Sequence, residues 1–222
     1  MSVNDDNRRP IAQRNTGWAK ALTLWLARAD VSPNTISMSS MVFAALAGAC
    51  FYASGITTNA IDRVLLLVGA ALFCQLRLLA NMLDGMVAVE AGKGGADGPV
   101  WNELPDRLAD IFILVGAGYG VAALGQAEAS LGWAAAVASV MTAYVREVAR
   151  GAGAPPDFSG PMAKPHRMFV MTVAALVSIF ETFWAAPGQM IFWALWVVAV
   201  GATLTALNRT RRALWFLRRR LP

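Results

Sequence analysis

The 222 residues are 57% hydrophobic and only 15% charged, with a net charge of +5. A soluble domain carries about 25% charged residues, and here the deficit falls in long apolar blocks, so lipid is the expected solvent for most of the chain. The arginines sit at the ends of those blocks, where they can snorkel toward anionic headgroups. No basic stripe interleaved with aromatics lies on a soluble segment, which excludes nucleic acid as the expected partner.

In chain order, residues 1–16 read as a disordered polar arm, too polar and acidic for a cleavable signal peptide. Residues 17–30 read as an interfacial amphipathic helix in which Trp18, Leu22, Trp25 and Leu26 share one face and Lys20 and Arg28 lie toward the other. Residues 31–208 hold six spans near the roughly 20 residues that a bilayer requires. Their expected bounds are 35–53, 60–91, 101–124, 131–150, 168–185 and 190–207. Ser32-Pro33-Asn34-Thr35 is a helix-start signal for the first. Residues 209–222 form a basic juxtamembrane tail, expected to anchor on lipid headgroups. The fold class is therefore all-α: an integral membrane bundle of six transmembrane helices preceded by an interfacial helix.

Basic residues near the span ends orient the bundle. Arg8, Arg9, Arg14, Lys20, Arg28, Lys93, Arg150, Lys164, Arg167 and the arginines from Arg209 to Arg220 collect on one side, against Arg63 and little else on the other. Both termini should thus be cytoplasmic, in an inner or plasma membrane crossed several times. Cys50 and Cys74 lie inside apolar blocks and read as small filler, and His166 has no partners for a zinc site.

Polar side chains at membrane depth are costly and tend to be functional. The second span ends in Asn81, Asp84, Gly85 and Ala88, and the third begins with Gly98, Asn102, Asp106 and Asp110. Asn81 and Asp84 are one helical turn apart, as are Asn102, Asp106 and Asp110 in series. On antiparallel neighbouring helices the two stripes should meet on the cytoplasmic side. Oxygen donors from both suit Mg²⁺ or Mn²⁺ and a reaction at a phosphate ester; the alternative is helix-end caps at a wet interface. Gly85 and Ala88 leave room for a substrate against the helix. Arg77, a turn before Asn81, has as partner either an intramembrane carboxylate or a donor phosphate.

The interval from Asn81 through Asp84, Gly85, Ala88, Gly98 and Asn102 to Asp106 resembles, without a gap, the signature of the CDP-alcohol phosphatidyltransferases. The interfacial helix and the Ser32-Pro33-Asn34 start extend the resemblance along most of the chain. It implies transfer of a phosphatidyl or similar group from a CDP-linked lipid donor to an alcohol or sugar-phosphate acceptor, with release of CMP. It also implies one or two Mg²⁺ or Mn²⁺ ions on Asn81, Asp84, Asn102 and Asp106, with Asp106 as general base. Asn34, Gly85, Ala88 and Gly98 would face the donor nucleotide. Arg146, Lys164 and Arg167 would hold acceptor or donor phosphate, although for Arg167 and Arg150 plain loop charge is the competing reading. A homodimer is implied by the resemblance alone.

The chain departs from the signature at three positions: Asn81 and Asn102 stand for carboxylates and Val89 for an arginine. Two negative charges are thereby lost from the cation cage, and Asp110 or Glu103 is placed by helical spacing to restore part of them. Asp110 is either that supporting ligand or a helix-face charge paired with Arg107. A weakened or inactive family member that binds nucleotide or lipid as a scaffold is the alternative function. An intramembrane prenyltransferase needs two separate motifs and more spans, and a transporter needs a broken helix pair that the sequence lacks.

Overall fold

The protein is described by a computed structural model covering residues 16–90, 92 and 97–219. Its seven α-helices among the described residues are α1 (Gly17–Arg28), α2 (Pro33–Ile56), α3 (Ala60–Glu90), α4 (Gly98–Ala123), α5 (Ser130–Gly151), α6 (Lys164–Ser178) and α7 (Gln189–Arg218). A short 3-10 turn lies at Glu181–Phe183. The expected polar arm up to residue 15, together with Lys93 and Arg220, falls outside the described residues.

Local chemistry accounts for the helix starts. The Ser32 hydroxyl accepts the Thr35 amide at 3.1 Å, and Pro33 occupies the first helical position of α2, where its missing N–H costs nothing. The expected fifth span stops early, at Ser178, because the chain must turn around Glu181. That carboxylate is fully buried and accepts from Arg63 at 2.5 Å, from the Ser178 hydroxyl at 3.1 Å and from the backbone amides of Gly188 and Met190. Arg63, the basic residue expected at this end of the molecule, therefore serves as a partly buried counterion. The expected sixth span, conversely, does not stop at Leu207. No glycine or proline interrupts the sequence before Arg218, and arginine and leucine are good helix formers, so α7 continues. Arg209 is buried in the bundle, donating to the Thr142 carbonyl at 2.7 Å and the Ser159 carbonyl at 3.0 Å.

Six helices form a closed ring in the order α2, α4, α5, α7, α6, α3. The sequence places α3 and α4 side by side, but α2 packs between them along its whole length. They are not a simple antiparallel pair, and meet through their polar ends. Glycines explain why α2 fits so closely. A Cβ at Gly116 would lie 2.6 Å from the Gly48 Cα, Gly55 stands against Gly120, and Gly118 against Gly132 of α5. Small residues at such crossings let helix backbones approach, the usual basis of packing where lipid supplies no hydrophobic drive. Gly116→Ala must force α2 and α4 apart and should cost about 2 kcal/mol. Its melting temperature in detergent should fall clearly below that of Gly151→Ala, whose added methyl meets nothing within 4 Å.

Three helices, α2, α3 and α7, are long and apolar enough to cross a membrane. Helix α6 has 15 residues, about 22 Å of rise against a hydrocarbon core of about 30 Å. Helix α1 packs on the last turns of α3 through Ala19, Leu22, Thr23 and Leu26, beside Met82, Leu83, Met86 and Val87. The face expected from the sequence is split: Leu22 and Leu26 turn to α3, whereas Trp18 and Trp25 are exposed.

Candidate active site

The polar ends of α2, α3, α4 and α6 converge. On α3, Arg77, Asn81 and Asp84 follow one another at helical spacing; Arg77 and Asp84 are buried and Asn81 is half-buried. Asn81 donates its amide to Asp106 Oδ1 at 3.0 Å, which joins the two stripes. Asp84 Oδ2 accepts the Ser37 hydroxyl of α2 at 2.6 Å, and Oδ1 accepts the following Gly85 amide at 2.5 Å. Asp84 also lies within electrostatic range of Lys164 and Asp106. Asn81 thus joins Asp106 to the α3 stripe that carries Asp84 one turn further on.

Cations surround Asp106. The Lys164 ammonium donates to Asp106 Oδ2 and to Asn81 Oδ1. Arg77 stands 3.6 Å from Oδ1, and Arg107 stands 3.8 Å from Oδ2. Removing a carboxylate from water at this depth is costly, and only such partners offset it.

Below this layer Asp110, fully buried, binds two arginines: Arg77 at 3.0 Å through Oδ1 and Arg167 at 2.6 Å through Oδ2. This decides the open pairings. Arg77 takes buried carboxylates, and Asp110 pairs with Arg77 and Arg167 rather than with Arg107, which binds Glu103 at 2.9 Å. Each Asp110 oxygen thus already accepts from a buried arginine. Arg167 is 1% exposed and also donates to the Met162 carbonyl at 2.9 Å. It therefore sits in the core, away from any loop surface. Its buried place fits a brace between α4, α6 and the loop before α6.

The other expected residues lie at the rim. Asn34, half-buried, donates to Asp97 at 3.2 Å, bridging the starts of α2 and α4. Gly85, Ala88 and Gly98 are half-buried, and a Cβ at Gly98 would meet nothing within 4 Å. Arg146 of α5 pairs with Glu103 at 2.6 Å and Glu147 at 2.9 Å, and lies 5.1 Å from the Phe158 ring centre. Glu103, which the sequence offers as a substitute for lost cage charge, is engaged by Arg107 and Arg146 instead. Arg150 is exposed and pairs with Glu147 at 3.6 Å. Asn102 falls in α4, and its side chain lies outside the described residues. In the loop before α6, burial pushes the Asp157 carboxyl up, but the Ser159 hydroxyl and amide, with Arg212 and Arg209, outweigh this and hold it below the usual range.

Sequence reasoning missed Ser37 and Thr142, the latter 3.4 Å from Arg167. Ser37 had a signal: it follows Asn34 by one helical turn on α2. Ser37→Ala deprives Asp84 of its side-chain partner while removing one hydroxyl. The expected result is a loss of divalent-cation affinity of about 10-fold or more, matching one hydrogen bond to a charged group. The melting temperature should change little, and Mn²⁺ titration with thermal denaturation checks both.

Among the described residues no three His, Cys, Asp or Glu side chains form a metal-holding group. The oxygen donors are two carboxylates, Asp84 and Asp106, and the Asn81 amide. These are hard ligands, and the Lys164 ammonium already lies between two of them, Asn81 and Asp106. The donor set therefore fits a hard divalent cation coordinated in part by water or substrate oxygens.

No family model matches the chain. It is 31% identical over 136 residues to a phosphatidylinositol phosphate synthase of Mycolicibacterium smegmatis, an alignment covering 60% of this chain and 59% of that protein. It thus spans under two thirds of that relative's length. To the inner membrane protein YnbA of Escherichia coli it is 25% identical over 191 residues, 86% of this chain and 88% of the other. Crystal structures of phosphatidylinositol phosphate synthase from Mycobacterium tuberculosis share the fold. The complex with manganese and citrate superposes with a TM-score of 0.66 at 21% identity, covering 89% of this chain and 88% of that one. The structure with CDP-DAG bound gives 0.65 at 21% identity over 88% and 92%. The chain therefore has the fold of the mycobacterial phosphatidylinositol phosphate synthase.

Proposed function

We propose that this chain is a CDP-alcohol phosphatidyltransferase of the membrane. It would move a phosphatidyl group from a CDP-linked donor such as CDP-diacylglycerol to an alcohol or sugar-phosphate acceptor, releasing CMP. The observation that carries the proposal is the Asn81–Asp106 bond, which joins α4 to the α3 stripe holding Asp84 and so groups three hard oxygen donors. The motif spacing, the similarity to the Mycolicibacterium smegmatis phosphatidylinositol phosphate synthase, and the fold shared with the manganese and CDP-DAG complexes of the Mycobacterium tuberculosis one support it.

In this reading all six ring helices cross the membrane, the shorter α6 lying within the bundle. Both termini and the site face the cytoplasm. A divalent cation, Mg²⁺ or Mn²⁺, held by Asp84 and Asp106 with amide oxygens of Asn81 and Asn102, supplies charge stabilisation at the donor diphosphate when bound. The other roles belong to the chain. Ser37 and the Gly85 amide fix the orientation of the Asp84 carboxylate. Asn34, Gly85, Ala88 and Gly98 border the space for the nucleotide. Asp106 takes the proton of the acceptor hydroxyl as it attacks phosphorus, while the bond to CMP breaks. Lys164 and Arg146 orient phosphate oxygens. Arg77, Asp110 and Arg167 keep Asp106 in place from below. A basic rim favours an anionic acceptor over a neutral one. A homodimer is the assembly that goes with this reading.

The test is CMP release. Purified protein with CDP-diacylglycerol and Mn²⁺ should form CMP only when a suitable acceptor from a panel of polyols and sugar phosphates is present. Binding of CDP-diacylglycerol with no CMP from any acceptor would favour the scaffold reading, which the two asparagines at cage positions motivate.

A further inference from the structure

We propose that Lys164 is a tethered, displaceable cation of this site: its ammonium holds the Asn81–Asp106 side of the oxygen cluster, and a divalent ion gains that side only by moving it away. The inference rests on the divalent-cation reading above and goes beyond it by assigning a built-in competitor.

Three cations stand around Asp106, but they are not equivalent. Arg77 is fully buried and bound to Asp110 at 3.0 Å. Arg107 is bound to Glu103 at 2.9 Å, with a further bond to the Glu103 carbonyl at 3.2 Å. Both guanidinium groups have a second anchor. The described contacts of Lys164 are Asn81 and Asp106 alone, both within the cluster. Lys164 is also the first residue of α6, directly after the loop of residues 152–163. Its four-carbon stem can swing about a fixed Cα, and its side chain retains 12% exposure. Of the three, it is the cation free to leave.

Charge makes the departure necessary. Asp84 and Asp106 supply two negative charges; with the Lys164 ammonium between Asn81 and Asp106 the three groups sum to one. An ammonium a few ångströms from a divalent ion repels it strongly in a site shielded from water. Asn81 has no charge to contribute, so the cluster cannot satisfy both cations at once. The ammonium, once displaced, remains tethered beside the site, where it can meet the phosphate oxygens that arrive with a substrate. A lysine that merely tied α6 to α3 and α4 would act in the opposite sense, since its removal would loosen the oxygen ligands.

Mn²⁺ binding to the purified full chain, followed by electron paramagnetic resonance without substrate, separates the two. Lys164→Met and Lys164→Gln should each bind Mn²⁺ at least about tenfold more tightly than the native chain, and Arg211→Gln, an exposed charge removal on α7, should stay within about twofold. Equal or weaker Mn²⁺ binding by both Lys164 variants, with native helicity and melting temperature, would overturn the proposal. Should the variants fail to fold, the native chain carries the test. Lys20, Lys93 and Lys164 are its lysines, and Mn²⁺ should raise acylation of Lys164 by an amine reagent relative to the other two; no rise at saturating Mn²⁺ overturns the displacement. If no protein takes up Mn²⁺ at millimolar concentration, the cation site and the role of Lys164 fall together. CMP release in the presence of a chelator then shows separately whether the transferase reading survives.

Discussion

Asp106→Asn is expected to lower CMP release by about 10³-fold or more while leaving CDP-diacylglycerol binding nearly unchanged. The magnitude is that of losing a positioned general base. The substitution is close to isosteric, so the fold has little reason to respond. The amide oxygen can still accept from Lys164 or Asn81, and Arg77 and Arg107 keep Asp110 and Glu103 as partners. An amide oxygen also remains a possible ligand, as at Asn81. What disappears is the basic oxygen of the proposed general base. Asp84→Ala should behave differently, losing cation and donor together, because its two oxygens are oriented by Ser37 and the Gly85 amide and by nothing that a neighbour could replace. CMP release and donor binding, measured on both variants, distinguish the roles. Native turnover in either one would defeat the assignment of the site.

Much of this site is legible in the sequence because polar residues in apolar helices are few and their spacing is fixed by the helix. Asn81, Asp84 and Asp106 fall together for that reason, and Ser32 with Pro33 marks the start of α2 for equally local reasons. The partners are less legible. Asp110 lies at the same helical phase as Asp106 and reads equally well as a cation ligand. Only the buried positions of Arg77 on α3 and Arg167 on α6 show that each of its oxygens already accepts from an arginine. The end of α6 at Ser178 depends on Glu181 meeting Arg63 from 118 residues away, a contact that no local pattern announces. The insertion of α2 between α3 and α4 is similar. Gly48, Gly55, Gly116 and Gly120 record it in the sequence, but glycine spacing alone does not say which helix approaches which.

The buried triad of Arg77, Asp110 and Arg167 should give the largest stability effect in the molecule. Arg77 and Asp110 are fully buried and Arg167 is 1% exposed, and among the described residues Arg77 Nε and Nη1 and Arg167 Nε find no hydrogen-bond partner. Asp110→Ala strands two guanidinium groups in a place that water does not reach. Breaking a buried pair by removing one partner costs about 3–5 kcal/mol, and here one carboxylate serves two cations. Much of the protein should fail to fold, seen as lost yield and a melting temperature in detergent far below native. Arg107→Gln, by contrast, breaks a half-exposed pair with Glu103 and should cost no more than about 1 kcal/mol. Pairing Asp110→Asn with Arg167→Met removes one stranded charge and keeps a hydrogen-bond acceptor for Arg77, so part of the lost stability should return. Its CMP release should stay low even so. Without the Asp110 charge Arg77 has only Asp106 to neutralise it, at 3.6 Å, and draws the proposed base away from the acceptor. A rescued fold with fully rescued turnover would show that the triad supports the helices alone and has no part in positioning Asp106.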